Sequence, residues 1–209
     1  MDSNKETELK DVSRILEETL QAENDVKLPS GCDGSLCDCG KTCALDIAYP
    51  TLEGIKEDAA ALKIVSPAYA GDEGELCAVL QYIYQHILFD NMGCKDYANI
   101  LLKIAITEMK HLEILGKLIL KLGAAPVYSY LPPYPINYFS ARTVSYSKNP
   151  QKMILDDIAA EQYAIDTYTK ILCRVKNEHV AAVIQRIRMD EEEHLSTFKC
   201  IFKEMSTSC

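Results

Sequence analysis

No stretch of this 209-residue chain approaches the ~20 consecutive apolar residues that span a bilayer, so no membrane helix is expected. The amino-terminal residues Met1 to Lys10 are charged where a signal peptide would carry its apolar segment, and the expected location is the cytoplasm. Basic residues are also scarce: 22 Lys and Arg stand against 31 Asp and Glu, a formal net charge of −9. Phosphate binding needs a basic surface, so neither nucleic acid nor an anionic membrane is expected as a partner. Cations are the natural ligands of such a chain. Its cysteines do not form an evident disulfide framework. There are nine, an odd number, and Cys77, Cys94, Cys173, Cys200 and Cys209 are scattered singly, as reduced thiols of core or surface often are.

The chain does have the composition of a globular protein, 48% hydrophobic and 25% charged. Residues 5–22 place Leu9, Val12, Ile15, Leu16 and Leu20 at the spacing of an amphipathic helix. Residues 28–43 change to a loop composition and carry Cys32, Cys37, Cys39 and Cys43 as C-x4-C-x-C-x3-C. Residues 1–50 therefore read as an extension and 51–209 as the main domain, with a short helix expected over about 52–64.

From Ala70 onward, apolar positions recur in alternating strides of four and three, the signature of an all-α helical bundle. Tyr97, Leu101, Ile104, Glu108, His111, Leu115, Leu118 and Leu122 form one seam, which stops at Gly123. Val180, Ile184, Ile187, Glu191, His194, Phe198, Ile201 and Met205 form another, with the same polar pair at its centre. Two further seams are simpler: Asp72, Glu75, Val79, Tyr82, His86 and Phe89, and then Ile154, Ile158, Glu161, Ile165, Tyr168, Leu172 and Val175. The last of these starts at Asn149 as cap and Pro150 as first helical residue. Short connections near 91–94 and 177 make antiparallel neighbours. The Pro- and Tyr-rich segment between Gly123 and Asn149 is long enough to cross the length of a bundle between the second and third helices.

Four carboxylates on apolar seams, with no obvious Lys or Arg partners, require a cation, because a buried unpaired carboxylate costs several kcal/mol. Residues three apart on a helix share a face, so Glu108 with His111, and Glu191 with His194, can each reach one ion. Glu75 and Glu161 add oxygens from the other helices. Four carboxylates and two imidazoles suit two first-row divalent ions better than zinc-thiolate or calcium chemistry.

This pattern resembles the ferritin-like di-iron or di-manganese carboxylate superfamily over about residues 70–205. The likeness is nearest to rubrerythrin-like and bacterioferritin-like proteins, and Gly74 to Gln85 is also similar to manganese-catalase-like spore-coat proteins. The resemblance implies a four-helix bundle with a long crossover, and the metal ligands Glu75, Glu108, His111, Glu161, Glu191 and His194. It makes Glu108 and Glu191 bridging ligands, and pairs Glu75 with His111 and Glu161 with His194. Two features depart from rubrerythrins: paired C-x-x-C knuckles are absent, and Ile158 stands where they carry a further Glu.

The expected function is that of a di-iron oxidoreductase which oxidises Fe(II) with O2 or reduces hydrogen peroxide, drawing on an unidentified electron donor and protecting an oxygen-sensitive cell. A manganese-type catalase with two manganese ions is the alternative enzyme, and iron storage or cargo, or a spore-coat role, the alternatives of another kind. A small homo-oligomer, a dimer, is expected. Cys32, Cys37, Cys39 and Cys43 are candidates for a second metal or redox site, although their spacing matches neither zinc knuckles nor common ferredoxin runs. Tyr82 and Tyr168 are expected mainly to pack, His86 to be a satisfied core histidine, and Glu113, Glu192 and Glu193 to face solvent.

Overall fold

The computed structural model describes residues 43–134 and 137–207. The amphipathic stretch 5–22 and the cysteines Cys32, Cys37, Cys39 and Cys209 fall outside them. The first described helix, α1, spans Ala59–Ala70, later than the expected 52–64. Gly54 turns the chain at φ +82°, and Asp58 caps the helix by accepting from the Ala60 and Ala61 amides at 2.9 and 3.0 Å.

Four longer helices follow: α2 (Glu75–Asn91), α3 (Lys95–Lys121), α4 (Pro150–Leu172) and α5 (Glu178–Thr207). Their ends follow local chemistry. Gly123 adopts φ +100° just beyond α3, the left-handed conformation that glycine takes up readily. The Asn149 side chain accepts from the Lys152 amide at 2.9 Å, with Pro150 in the first turn. Asn177 caps α5 in the same way.

α2 packs chiefly on α3, and α4 on α5, as the short connections require. The segment 122–149 links the two pairs, and its described residues contain a 3-10 turn, Ala141–Thr143, and an isolated bridge between Ser129 and Tyr138. The seams predicted for α3 and α5 are buried along their whole length. Among the described residues, apolar packing divides into two clusters. One holds α1 together with Leu115, Leu118, Tyr168, Ile184 and Ile187. The other holds Tyr82, Phe89, Leu101, Ile104, Ile154, Phe198 and Ile201, and Ile158 packs against it. Among the described residues no helix is long and apolar enough to cross a membrane.

The structure corrects the reading of the scattered cysteines. Cys94 and Cys200 are disulfide-bonded, whereas Cys43 and Cys77 are buried free thiols and Cys173 an exposed one. Their bonded state is invisible in the sequence because helical periodicity carries no record of which thiols meet.

The junction between α1 and α2 sets the start of the site. A Cβ on Gly74 would lie 2.6 Å from the Ala68 carbonyl oxygen and 2.9 Å from that of Pro67, so the backbone approach there tolerates only glycine, and Glu75 follows immediately. Gly74→Ala is expected to destabilise the fold by about 1–3 kcal/mol through overpacking, read as a lower midpoint in urea. An unchanged midpoint would show that the junction can yield.

Candidate metal centre

The six predicted ligands meet in the middle of the bundle, between the two apolar clusters. One ligand atom from each of Glu75, Glu108, His111 and Glu191 lies within 4.8 Å of the others, and the same holds for Glu108, Glu161, Glu191 and His194. Glu108 and Glu191 belong to both groups. All six side chains are buried, with exposures of 5% or less.

Both imidazoles turn Nδ1 inward. His111 Nδ1 lies 2.9 Å from Glu108 Oε2, 3.1 Å from Glu191 Oε1 and 3.7 Å from Glu75 Oε2. His194 Nδ1 lies 2.9 Å from Glu108 Oε1, 3.1 Å from Glu191 Oε2 and 3.7 Å from Glu161 Oε1. Each shared glutamate thus presents one oxygen to each side. Among the described residues, nothing donates a hydrogen bond to Glu108 Oε1 or Glu191 Oε1 despite these approaches. Among the described residues no Lys or Arg pairs with the four glutamates, so buried negative charge converges here with open oxygen lone pairs. That is the condition a pair of divalent ions would satisfy.

The terminal glutamates are held from opposite ends of the bundle. Tyr82 donates to Glu161 Oε1 at 2.5 Å, and Tyr168 donates to Glu75 Oε1. Both tyrosines are buried, and both hydroxyls are pushed well above the ordinary range by burial and by the carboxylate each one meets. They therefore stay protonated as donors, a more specific role than the packing expected of them. His86 is satisfied as expected, with Nδ1 2.8 Å from the Ala98 carbonyl, but it is half-buried rather than a core residue. Glu113 is exposed between Lys110 and Lys117.

Sequence reading gave no role to Asp190, which is fully buried behind His111 and accepts from its Nε2 at 3.1 Å. Burial alone would raise its carboxyl, but bonds from His111, Arg186, Tyr49 and the Leu45 amide hold it well below the usual carboxylate range. The available signal was Arg186 four residues before Asp190, a buried helical ion pair at 2.7 Å. Asp157 was also missed. It lies fully buried and accepts from Gln81 and Gln85, both at 2.8 Å. Cys43, of the quartet, reaches the site through its backbone: its carbonyl accepts from His194 Nε2 at 2.8 Å.

A cavity of about 480 Å3 opens onto the glutamates between α2 and α4. Ala78, Ala159, Ala160 and Ala164 line it, and their small side chains leave a way in from the surface.

Residues 73–207 match the Ferritin-like domain family. The chain belongs to the ferritin-like family. Over 153 residues it is 28% identical to the bacterioferritin of Desulfovibrio desulfuricans, covering 72% of this chain and 79% of that one. The X-ray structure of the D. desulfuricans bacterioferritin, described for the catalytic states of its di-iron site, superposes with TM-score 0.58 at 26% identity, over 71% of this chain and 81% of that one. The fold is shared with KatB, a manganese catalase from Anabaena PCC7120, at TM-score 0.64 and 23% identity over 78% of each chain. Membership of that family, the likeness to the bacterioferritin and the buried carboxylate–histidine cluster support a ferritin-like di-metal site.

Without metal, burial and mutual charge move several groups of this centre away from their ordinary values. Burial would lower both histidines, but Glu191 and Glu75 around His111, and Glu108 and Glu161 around His194, raise them well above their ordinary value. Burial, reinforced by neighbouring carboxylates, raises Glu75 and Glu161. Glu108 is pulled the other way, because His194 and His111 outweigh its burial, so it remains ionised throughout the neutral range. A group whose pKa is raised on folding stabilises the fold below its unfolded value and loses that contribution as pH climbs. Without metal, the melting temperature should therefore fall as pH is raised above the unfolded histidine value of about 6.5. Saturating Mn(II) should abolish the fall, because ions take the place of the protons. A metal-free melting temperature that rises over this range in calorimetry would contradict the electrostatics described.

Proposed function

We propose that this protein is a di-iron oxidoreductase that oxidises Fe(II) with O2 or reduces hydrogen peroxide to water, with Glu75, Glu108, His111, Glu161, Glu191 and His194 as the ligands of its two ions. The observation that carries the reading is the sharing of Glu108 and Glu191, each with one oxygen toward each imidazole. Two ions held side by side would supply the paired electrons or Lewis acidity that O2 and peroxide chemistry needs. The likeness to a bacterioferritin with a di-iron site supports iron, and manganese, which accepts the same donors, is the alternative.

The protein's own residues do the positioning. Glu108 and Glu191 would be shared by the two ions, and their formal charge with that of Glu75 and Glu161, −4, would offset +4 from two divalent ions. Tyr82 and Tyr168 fix the outer carboxylates by hydrogen bonds, so that each keeps one oxygen free to ligate. The alanine-lined cavity admits a small oxidant to the side of the centre where the glutamates face it. Reduction of hydrogen peroxide to two waters consumes two electrons and two protons, so a reductase needs an external electron donor. A catalase does not.

Protein loaded in a native-like metal background is expected to carry two iron ions per chain by elemental analysis and to turn over peroxide only with a reductant. Donor-free turnover by a manganese-loaded sample would replace this reading with that of a catalase, and a mass of hundreds of kilodaltons on size exclusion would favour iron storage. Glu108→Ala and His194→Ala should each lower the metal content well below two per chain. Retention of both ions would sink the ligand assignment. Ala78→Leu should narrow the cavity and lower kcat/KM for peroxide about tenfold or more, a cost of roughly 1.4 kcal/mol in the transition state, with metal content unchanged. Unchanged kinetics would mean that the oxidant enters elsewhere.

A further inference from the structure

Two ring nitrogens of the centre, Nε2 of His111 and Nε2 of His194, point outward and need acceptors, since a buried N–H left unpaired is costly. Both acceptors depend on residues 43–49, a segment that lies before the ferritin-like match at 73–207. The Cys43 carbonyl accepts from His194 Nε2 at 2.8 Å and from Thr107 Oγ1 at 3.0 Å. The Leu45 amide and the Tyr49 hydroxyl donate to Asp190 at 2.9 and 2.6 Å, and Asp190 accepts from His111 Nε2 at 3.1 Å. Arg186 closes the network. Its Nε and Nη2 donate to the Ile47 and Leu45 carbonyls at 2.9 and 2.8 Å, its Nη1 pairs with Asp190 at 2.7 Å, and its guanidinium lies 4.4 Å over the Tyr49 ring.

Resting on the di-metal reading above, we propose that residues 43–49 form a positioning strap for the metal centre which grips its two histidines unequally, so that the position between Glu75 and His111 binds a divalent ion before the position between Glu161 and His194. The inequality is one of charge. His111 is backed by a carboxylate, His194 by a neutral peptide carbonyl. An imidazole that donates to a carboxylate is the more basic metal ligand, and such outer partners commonly change metal affinity 10- to 100-fold. The carbonyl contact is the shorter of the two, but it brings no charge to the ring. The two halves of the bundle repeat Glu and Glu-x-x-His, yet Thr107 precedes the first shared glutamate where Asp190 precedes the second. The repeat is broken at the residues the strap holds.

The test is titration of the full-length metal-free protein with Co(II), following visible absorption together with the paramagnetically shifted imidazole N–H proton signals. The wild type should take up two ions in two resolved steps, with one exchange-protected imidazole N–H appearing in each. Asp190→Asn keeps an acceptor and removes its charge, and should weaken the first step about 10- to 100-fold while leaving the second in place. Tyr49→Phe, a milder change, should speed solvent exchange of the first-step N–H, and Thr107→Val should do so only for the second-step N–H. Equal steps in the wild type, or an equal loss at both steps in Asp190→Asn, would overturn the unequal grip. A wild type that binds fewer than two Co(II) ions would overturn the di-metal reading itself, and the strap proposal with it.

Discussion

The constraint on which this fold depends is the burial of four carboxylates in the middle of a helical bundle. Hydrophobic seams bring the helices together, and the same seams carry Glu75, Glu108, Glu161 and Glu191 into a region without a lysine or arginine to meet them among the described residues. Such a layer is tolerable only if positive charge occupies it, as protons on the histidines and outer glutamates or as metal ions. The rest of the centre follows from that requirement. Tyrosines occupy one oxygen of each outer carboxylate, shared glutamates link the two halves, and the histidines face inward with their outer nitrogens tied down.

Much of this could be read from residue spacing, for a physical reason. A helix face is fixed by strides of three and four, so a polar pair within an apolar stripe, such as Glu108 and His111, has one possible destination. The ends of α3 and α4 were legible for a similar reason: Gly123, Asn149 and Pro150 act locally. The interactions that were not legible are those set by tertiary contact. Asp190 lies off the seam, and nothing in its own helix reveals that Tyr49 and Leu45 come from 141 and 145 residues away to hold it. Tyr82 and Tyr168 fall at packing positions, and only the meeting of helices from opposite halves shows that each reaches the other half's glutamate. The start of α1 was misplaced because its signal is a single cap, Asp58, in a short and weakly patterned stretch. The bonded state of Cys94 and Cys200 has no signature in helical periodicity.

The two halves of the bundle resemble each other, but the structure uses them differently. In the first, Thr107 sends its hydroxyl to the Cys43 carbonyl; in the second, Asp190 gathers a guanidinium, a phenol, an amide and an imidazole. A ferritin-like core of internal symmetry is thereby joined to a preceding segment that has no counterpart in it, and that segment contacts the core at the backs of both histidines.

The division of the apolar core into two clusters has a mechanical meaning. The bundle holds two apolar blocks, one around α1 and one around Phe89 and Phe198, with the charged layer between them. Each block sends a tyrosine across to the midsection, Tyr168 from one and Tyr82 from the other. Ions seated between them would act as rivets that make the two blocks move as one body, and their loss would let each end breathe at its own rate.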